Sequence, residues 1–104
     1  MTDPLPFAFG EDPDNPGWYS WRLRDDSRYN AFLGPLIVRR EGDAARVRMF
    51  PARAHTNLQD AIHGGTTLGF IDVALFAAAR MLGLIAGTAV TLDLSTQFIG
   101  AGTA

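Results

Sequence analysis

The 104-residue sequence predicts an α+β domain: a short antiparallel hairpin, one long buried helix and a further strand. Three observations carry this. From Thr66 to about Leu82 there is no proline, and Leu, Ala, Phe and Met dominate, which predicts four to five helical turns. Leu36, Val38, Val47 and Met49 recur at every second position around Glu41-Gly42-Asp43, with Arg39, Arg46 and Arg48 as alternates. Val90, Leu92, Leu94 and Thr96 alternate with Thr91, Asp93, Ser95 and Gln97, a strand with one polar face.

Taken in order, residues 1–17 carry four prolines and four carboxylates and read as an irregular leader. An acidic start without a continuous apolar run does not read as a signal peptide. Trp18, Trp21, Tyr29 and Phe32 suggest an apolar stripe on a short helix ended by Gly34-Pro35. The hairpin follows, over Leu36–Arg40 and Ala45–Phe50, and Pro51–Ile62 continues extended before looping. The long helix is apolar on almost every side and needs cover from other structure; Gly83 is its stop signal. Leu68–Val90 is long enough to suggest a membrane span, but Asp72 and Arg80 interrupt it, at about 2.5–3.5 kcal/mol each on insertion scales. It reads as a buried helix followed by a strand. The expected organisation is a leader and short helix over 1–33 and one domain over 34–104.

Composition narrows the chemistry. With no cysteine there is no disulfide scaffold, thiolate metal site or cysteine nucleophile, which fits a cytoplasmic setting. A formal net charge of −2 gives no global basic field for nucleic acid or anionic lipid. The charge is unevenly placed: residues 21–53 hold eight of the nine basic residues, all arginine. Guanidiniums suit bidentate grip on phosphate, so Arg39, Arg40, Arg46, Arg48 and Arg53 are candidates for a phosphorylated ligand.

The segment His55-Thr56-Asn57-Leu58-Gln59-Asp60-Ala61-Ile62-His63-Gly64-Gly65, followed by Asp72, is where reactive groups converge. Gly64 and Gly65 stand at a helix start, where amides lack intrahelical acceptors and the dipole is positive. Such bare amides can receive a ligand oxygen, the chemistry of an oxyanion hole; they also serve a tight helix start. His63 is a polarising group or a helix-end residue, and Asn57 an orienting amide or a turn former. Asp72, amid Phe70, Ile71, Val73 and Leu75, must be desolvated, paired with Arg80 two turns on, or functional. A metal site from His55, Asp60 and His63 fits no standard zinc spacing. Gly64 and Asp72 are about 12 Å apart along a helix, too far to serve one carbonyl. Two such helices packed antiparallel about a two-fold axis would bring Asp72 of one near Gly64 of the other, so the sequence favours a symmetric dimer with composite sites.

Asn57, then His63-Gly64-Gly65, then Asp72 resembles the hotdog-fold acyl-CoA thioesterases of the phenylacetate-pathway (PaaI) and human thioesterase-superfamily type, over residues 34–99. The resemblance implies a hotdog fold, a long helix wrapped by a curved antiparallel sheet, in a homodimer or homotetramer with no membrane span. It implies hydrolysis of an acyl-CoA substrate without a cofactor or metal. The Gly64 N–H, supported by Gly65, would bind the thioester oxygen, Asn57 would orient thioester or water, and His63 would hold the loop. Asp72 of the partner would act as base or nucleophile, and Thr91 falls near a water-orienting position. Members add two or more strands after residue 99, so the resemblance also implies a domain incomplete at its C-terminal end. A non-catalytic acyl-CoA-binding hotdog protein and a hotdog hydratase or dehydratase are the alternatives. The acyl group is unreadable beyond an apolar pocket suggested by Trp21, Phe70, Ile71 and Phe76.

Overall fold

The computed structural model describes residues 7–85, 94, 95, 100 and 102. Within them the chain forms strands β1 (Phe7–Glu11) and β2 (Tyr19–Leu23), helix α1 (Asn30–Leu33), strands β3 (Leu36–Glu41) and β4 (Ala44–Met49), a 3-10 turn at Arg53–His55, and helix α2 (Gly64–Met81). The strands make one antiparallel sheet in the order β1-β2-β3-β4. A sheet of this kind carrying one long helix is an α+β architecture consistent with a hotdog fold. The strand expected over 88–99 lies outside the described residues.

The β3–β4 hairpin matches its sequence pattern. Leu36 faces Met49, Val38 faces Val47, and Glu41 faces Ala44 across a two-residue turn. Gly42 opens that turn at φ 61, the left-handed backbone that a primed hairpin turn needs and that glycine adopts without steric cost. The hairpin is more deeply covered than its alternation implies, because Ile37 on the opposite face is also fully buried. Its cross-strand neighbour is Arg48, and the guanidiniums of Arg39 and Arg48 lie 4.8 and 4.6 Å from the ring centre of the buried Trp18. Arginine stems thus do the covering on that side while their charged heads remain near water.

The N-terminal part differs from expectation. Residues 7–11 are a strand rather than irregular leader, and residues 19–23 are a strand rather than the beginning of a helix. Tyr19-Ser20-Trp21-Arg22-Leu23 alternates with period two, and pairing on both sides selects that period over the helical one: Trp21 faces Phe9 on β1 and Leu36 on β3. The aromatic stripe is therefore split. Trp21 enters the core from β2, while Tyr29 is the N-cap of α1 and Phe32 lies in its single turn, which stops at Gly34 with φ 79. Asp12 closes the β1–β2 loop, accepting from the Asp14 N–H at 2.9 Å, the Asn15 amide at 3.1 Å and the Ser20 hydroxyl at 2.9 Å.

The core is Trp21, Leu33, Leu36 and Val38 against Val73 and Ala77 of α2. Burying each large aliphatic side chain contributes about 1.5–3 kcal/mol. On α2 only Thr66, Val73 and Ala77 are buried. Their spacings of seven and four put them on one stripe facing β3 and β4. The opposite stripe carries Leu68, Asp72 and Leu75 by the same periodicity, and Leu75 is 58% exposed. Among the described residues, then, the sheet covers one side of α2 and leaves an apolar side uncovered. No described helix is long and apolar enough to cross a membrane.

Candidate active site

The stretch between β4 and α2 is locked by its own hydrogen bonds. The buried His55 ring uses both nitrogens: Nδ1 accepts from the Ala52 N–H at 2.9 Å, and Nε2 donates to the Phe32 carbonyl at 2.6 Å. That pairing fixes the neutral Nε2–H tautomer. The ring also meets Phe32 edge-on at 5.0 Å. His55 therefore ties the 3-10 turn to α1 across 23 residues of sequence and has no nitrogen left for a metal. Its carbonyl accepts from the His63 N–H at 2.8 Å, which brings the two ends of the loop together.

Inside that loop Asn57 organises the backbone. Its side-chain oxygen accepts from the Gln59 and Ala61 N–H groups at 2.9 and 3.2 Å, and its own N–H donates to the Ala61 carbonyl at 2.8 Å. Asp60 closes the turn at φ 60, a left-handed conformation that Asp tolerates better than most residues. The turn-forming role is thus occupied by the Asn57 oxygen, and its NH2 group has no acceptor among the described residues.

His63 is the N-cap of α2, with φ −61 and ψ 135. Its Nδ1 accepts from the Gly65 N–H at 3.0 Å, and its carbonyl receives the Thr66 and Thr67 N–H groups at 2.9 and 3.1 Å. The Gly65 amide is therefore engaged with the cap. A side chain at residue 65 would place Cβ 3.3 Å from that Nδ1, so the ring would have to give by a few tenths of an ångström. The Gly64 N–H is the amide of this helix start left without an acceptor among the described residues. It carries the dipole's positive end outward.

Asn57 and His63 line one open cleft of about 690 Å³, together with Arg53 and Asp60. Asp72 does not line it. Asp72 is half-buried two turns along α2, and it has a polar partner of its own. The continuous helix from Gly64 to Met81 fixes its separation from Gly64 at about 12 Å. The structure thus joins Asn57, His63 and Gly64 at one end of α2 and holds Asp72 apart from them within a chain. Thr91 lies outside the described residues. No group of three or more His, Asp or Glu side chains placed to hold a metal occurs among the described residues.

Residues 59–104 match the thioesterase superfamily. The match takes in His63, Gly64, Gly65, Asp72 and Thr91 and begins two residues after Asn57. It supports a hotdog thioesterase-type domain and thioester hydrolysis in general terms. No curated protein and no solved structure matches the chain.

The sequence offers His55 only as a metal ligand, whereas its Nε2 bonds to a residue 23 positions away. Arg53 is one of five arginines that the sequence does not distinguish, and nothing in the local pattern marks it as the one facing the cleft.

Proposed function

We propose that the protein hydrolyses acyl-CoA thioesters to the free acid and CoA at composite sites in a two-fold dimer. The observation that carries this is the Gly64 N–H, without an acceptor among the described residues, at the start of α2 beside the cleft that Asn57 and His63 line. The superfamily match over the same helix agrees with it.

In this reading the thioester oxygen takes the Gly64 N–H, and Gly65 acts indirectly by holding His63 in place. Asn57 offers its NH2 group to the thioester or to water. The Asp72 carboxylate of the second chain removes a proton from water as the water oxygen attacks the carbonyl carbon. The resulting oxyanion is held by the Gly64 amide, a donor worth about 2.7–4 kcal/mol of barrier. Collapse reforms the C=O bond and expels the CoA thiolate, which recovers the proton from Asp72. Direct attack by Asp72, forming an anhydride that water then opens, is the variant of the same site. Thr91 would orient the water.

The uncovered side of α2 supports the dimer reading. Asp72 shares a helical face with Leu68 and Leu75, turned away from the sheet, and that apolar face is what a second α2 would cover.

The test is thiol release from phenylacetyl-, benzoyl- and hexanoyl-CoA. Asp72→Ala should lower turnover by at least about 10²–10⁴-fold while the dimer persists in sedimentation. Unchanged hydrolysis by that variant removes the mechanism. Binding of the thioesters without turnover by the wild type would identify a non-catalytic acyl-CoA-binding protein instead, and loss of enoyl-CoA absorbance would identify a hydratase.

A further inference from the structure

The five arginines that the sequence offers for phosphate binding have different surroundings. Arg39 and Arg46 are ion-paired with Glu41 on the sheet face away from α2. Arg40 Nε donates to the Gly42 carbonyl at 2.8 Å, at the hairpin tip. Arg48 lies over the Trp18 ring, on the same face as Arg39. These four charges are spent on the hairpin or point away from the cleft.

Arg53 is placed otherwise. It is exposed, lines the cleft with Asn57 and His63, and makes no ion pair among the described residues. The carboxylate on the same cleft, Asp60, forms no ion pair with it. Its backbone is held firmly: the Arg53 carbonyl accepts from the Thr56 N–H at 3.0 Å and the Thr56 hydroxyl at 2.7 Å, and the buried His55 ring anchors the same turn. A fixed backbone lowers the entropy lost when the guanidinium engages a ligand. His63, the N-cap of α2, lines the same cleft, so the positive end of the helix lies beside it and adds to the local attraction for an anion.

We propose that Arg53 binds a phosphate of the CoA portion of the substrate at this cleft. The proposal rests on the acyl-CoA reading above and names the residue through which the CoA part is recognised. A thioester oxygen seated at Gly64 directs the CoA arm along the cleft that also carries Arg53, where the planar fork can take two phosphate oxygens at once.

The test compares hexanoyl-CoA with hexanoyl-pantetheine, which shares the thioester and lacks the phosphates. Arg53→Ala should raise KM for hexanoyl-CoA about ten- to a hundredfold more than for the pantetheine thioester, the effect of losing a charge-assisted contact. The difference should shrink with added salt. Arg53→Lys should recover part of it, and circular dichroism should show both variants folded. Arg40→Ala makes the same change of charge at the hairpin tip and should leave both KM values unaltered. Equal changes for the two thioesters, or none for hexanoyl-CoA, overturn the proposal. If the wild type cleaves neither thioester, the hydrolase reading fails, and calorimetric titration with CoA itself then decides the phosphate site. At least tenfold weaker CoA binding by Arg53→Ala than by Arg40→Ala supports it. Equal binding, or no CoA binding by the wild type, overturns it.

Discussion

Replacing His55 with alanine removes the clamp between the 3-10 turn and α1. Two hydrogen bonds go, from the Ala52 N–H and to the Phe32 carbonyl, each worth about 0.5–1.5 kcal/mol net. The edge-on contact with the Phe32 ring goes too, for about 0.5–1.5 kcal/mol. Together these predict a loss of about 1.5–4.5 kcal/mol, centred near 3, against a total stability of about 5–15 kcal/mol for a domain. At about 4–8 °C per kcal/mol for a domain of this size, a 3 kcal/mol loss lowers Tm by about 12–24 °C. Urea unfolding followed by tryptophan fluorescence measures it directly. Phe32→Leu keeps the carbonyl and removes the ring contacts to both His55 and Tyr29, so it should cost about 1–3 kcal/mol, and the double variant should lose less than the sum. Because the His63 N–H bonds to the backbone of residue 55, that link survives the substitution. A His55→Ala protein within about 0.5 kcal/mol of wild type, the range of ordinary surface changes, would refute the clamp.

Gly65→Ala sets Cβ against the His63 ring and should weaken the N-cap by about 1 kcal/mol. Thiol release should fall by more than the melting shift accounts for, and an active variant with an intact melting curve would contradict the placement of His63. Val73→Ala empties core volume and should cost about 2 kcal/mol in urea unfolding. Leu75→Ala, on the uncovered side of α2, should cost little at low protein concentration and more as the dimer forms; a cost independent of concentration argues against a second copy there. The Arg46 and then Arg39 guanidiniums, hydrogen-bonded to Glu41, hold its carboxyl below the ordinary carboxylate value. A folded-state pKa depressed in this way stabilises above the unfolded-state value, and the benefit disappears as pH falls through the folded-state value. Unfolding midpoints of wild type and Glu41→Gln should therefore differ at neutral pH and converge in acid, and parallel midpoints across that range would disprove the pairing.

Much of the described fold was legible because it rests on short-range rules. Alternating apolar residues around Gly42 gave the hairpin and its register, and the proline-free run gave α2 to within two residues at its start. Residues 1–32 are less legible because four prolines and clustered charges obscure a period of two, and because Trp18, Trp21, Tyr29 and Phe32 fit one helical stripe although only Trp21 belongs to a strand. Pairing with β3 settles the choice for Tyr19–Leu23, and pairing with β2 does so for Phe7–Glu11.

At the candidate site the sequence alone determined which groups gather at the start of α2. His63, Gly64 and Gly65 are consecutive, and helix geometry places Asp72 about 12 Å beyond Gly64 whatever surrounds them. Only the tertiary structure decided which of those groups are already occupied. It engaged the Gly65 amide with the His63 ring and the Asn57 oxygen with its own loop, tied His55 Nε2 to the Phe32 carbonyl 23 residues away, and turned Arg53, alone of the five candidate arginines, toward the cleft. The reason is physical. Periodicity and turn preference are properties of a few adjacent residues, whereas the partner of a buried polar atom is set by which remote backbone the packed chain brings within about 3 Å of it.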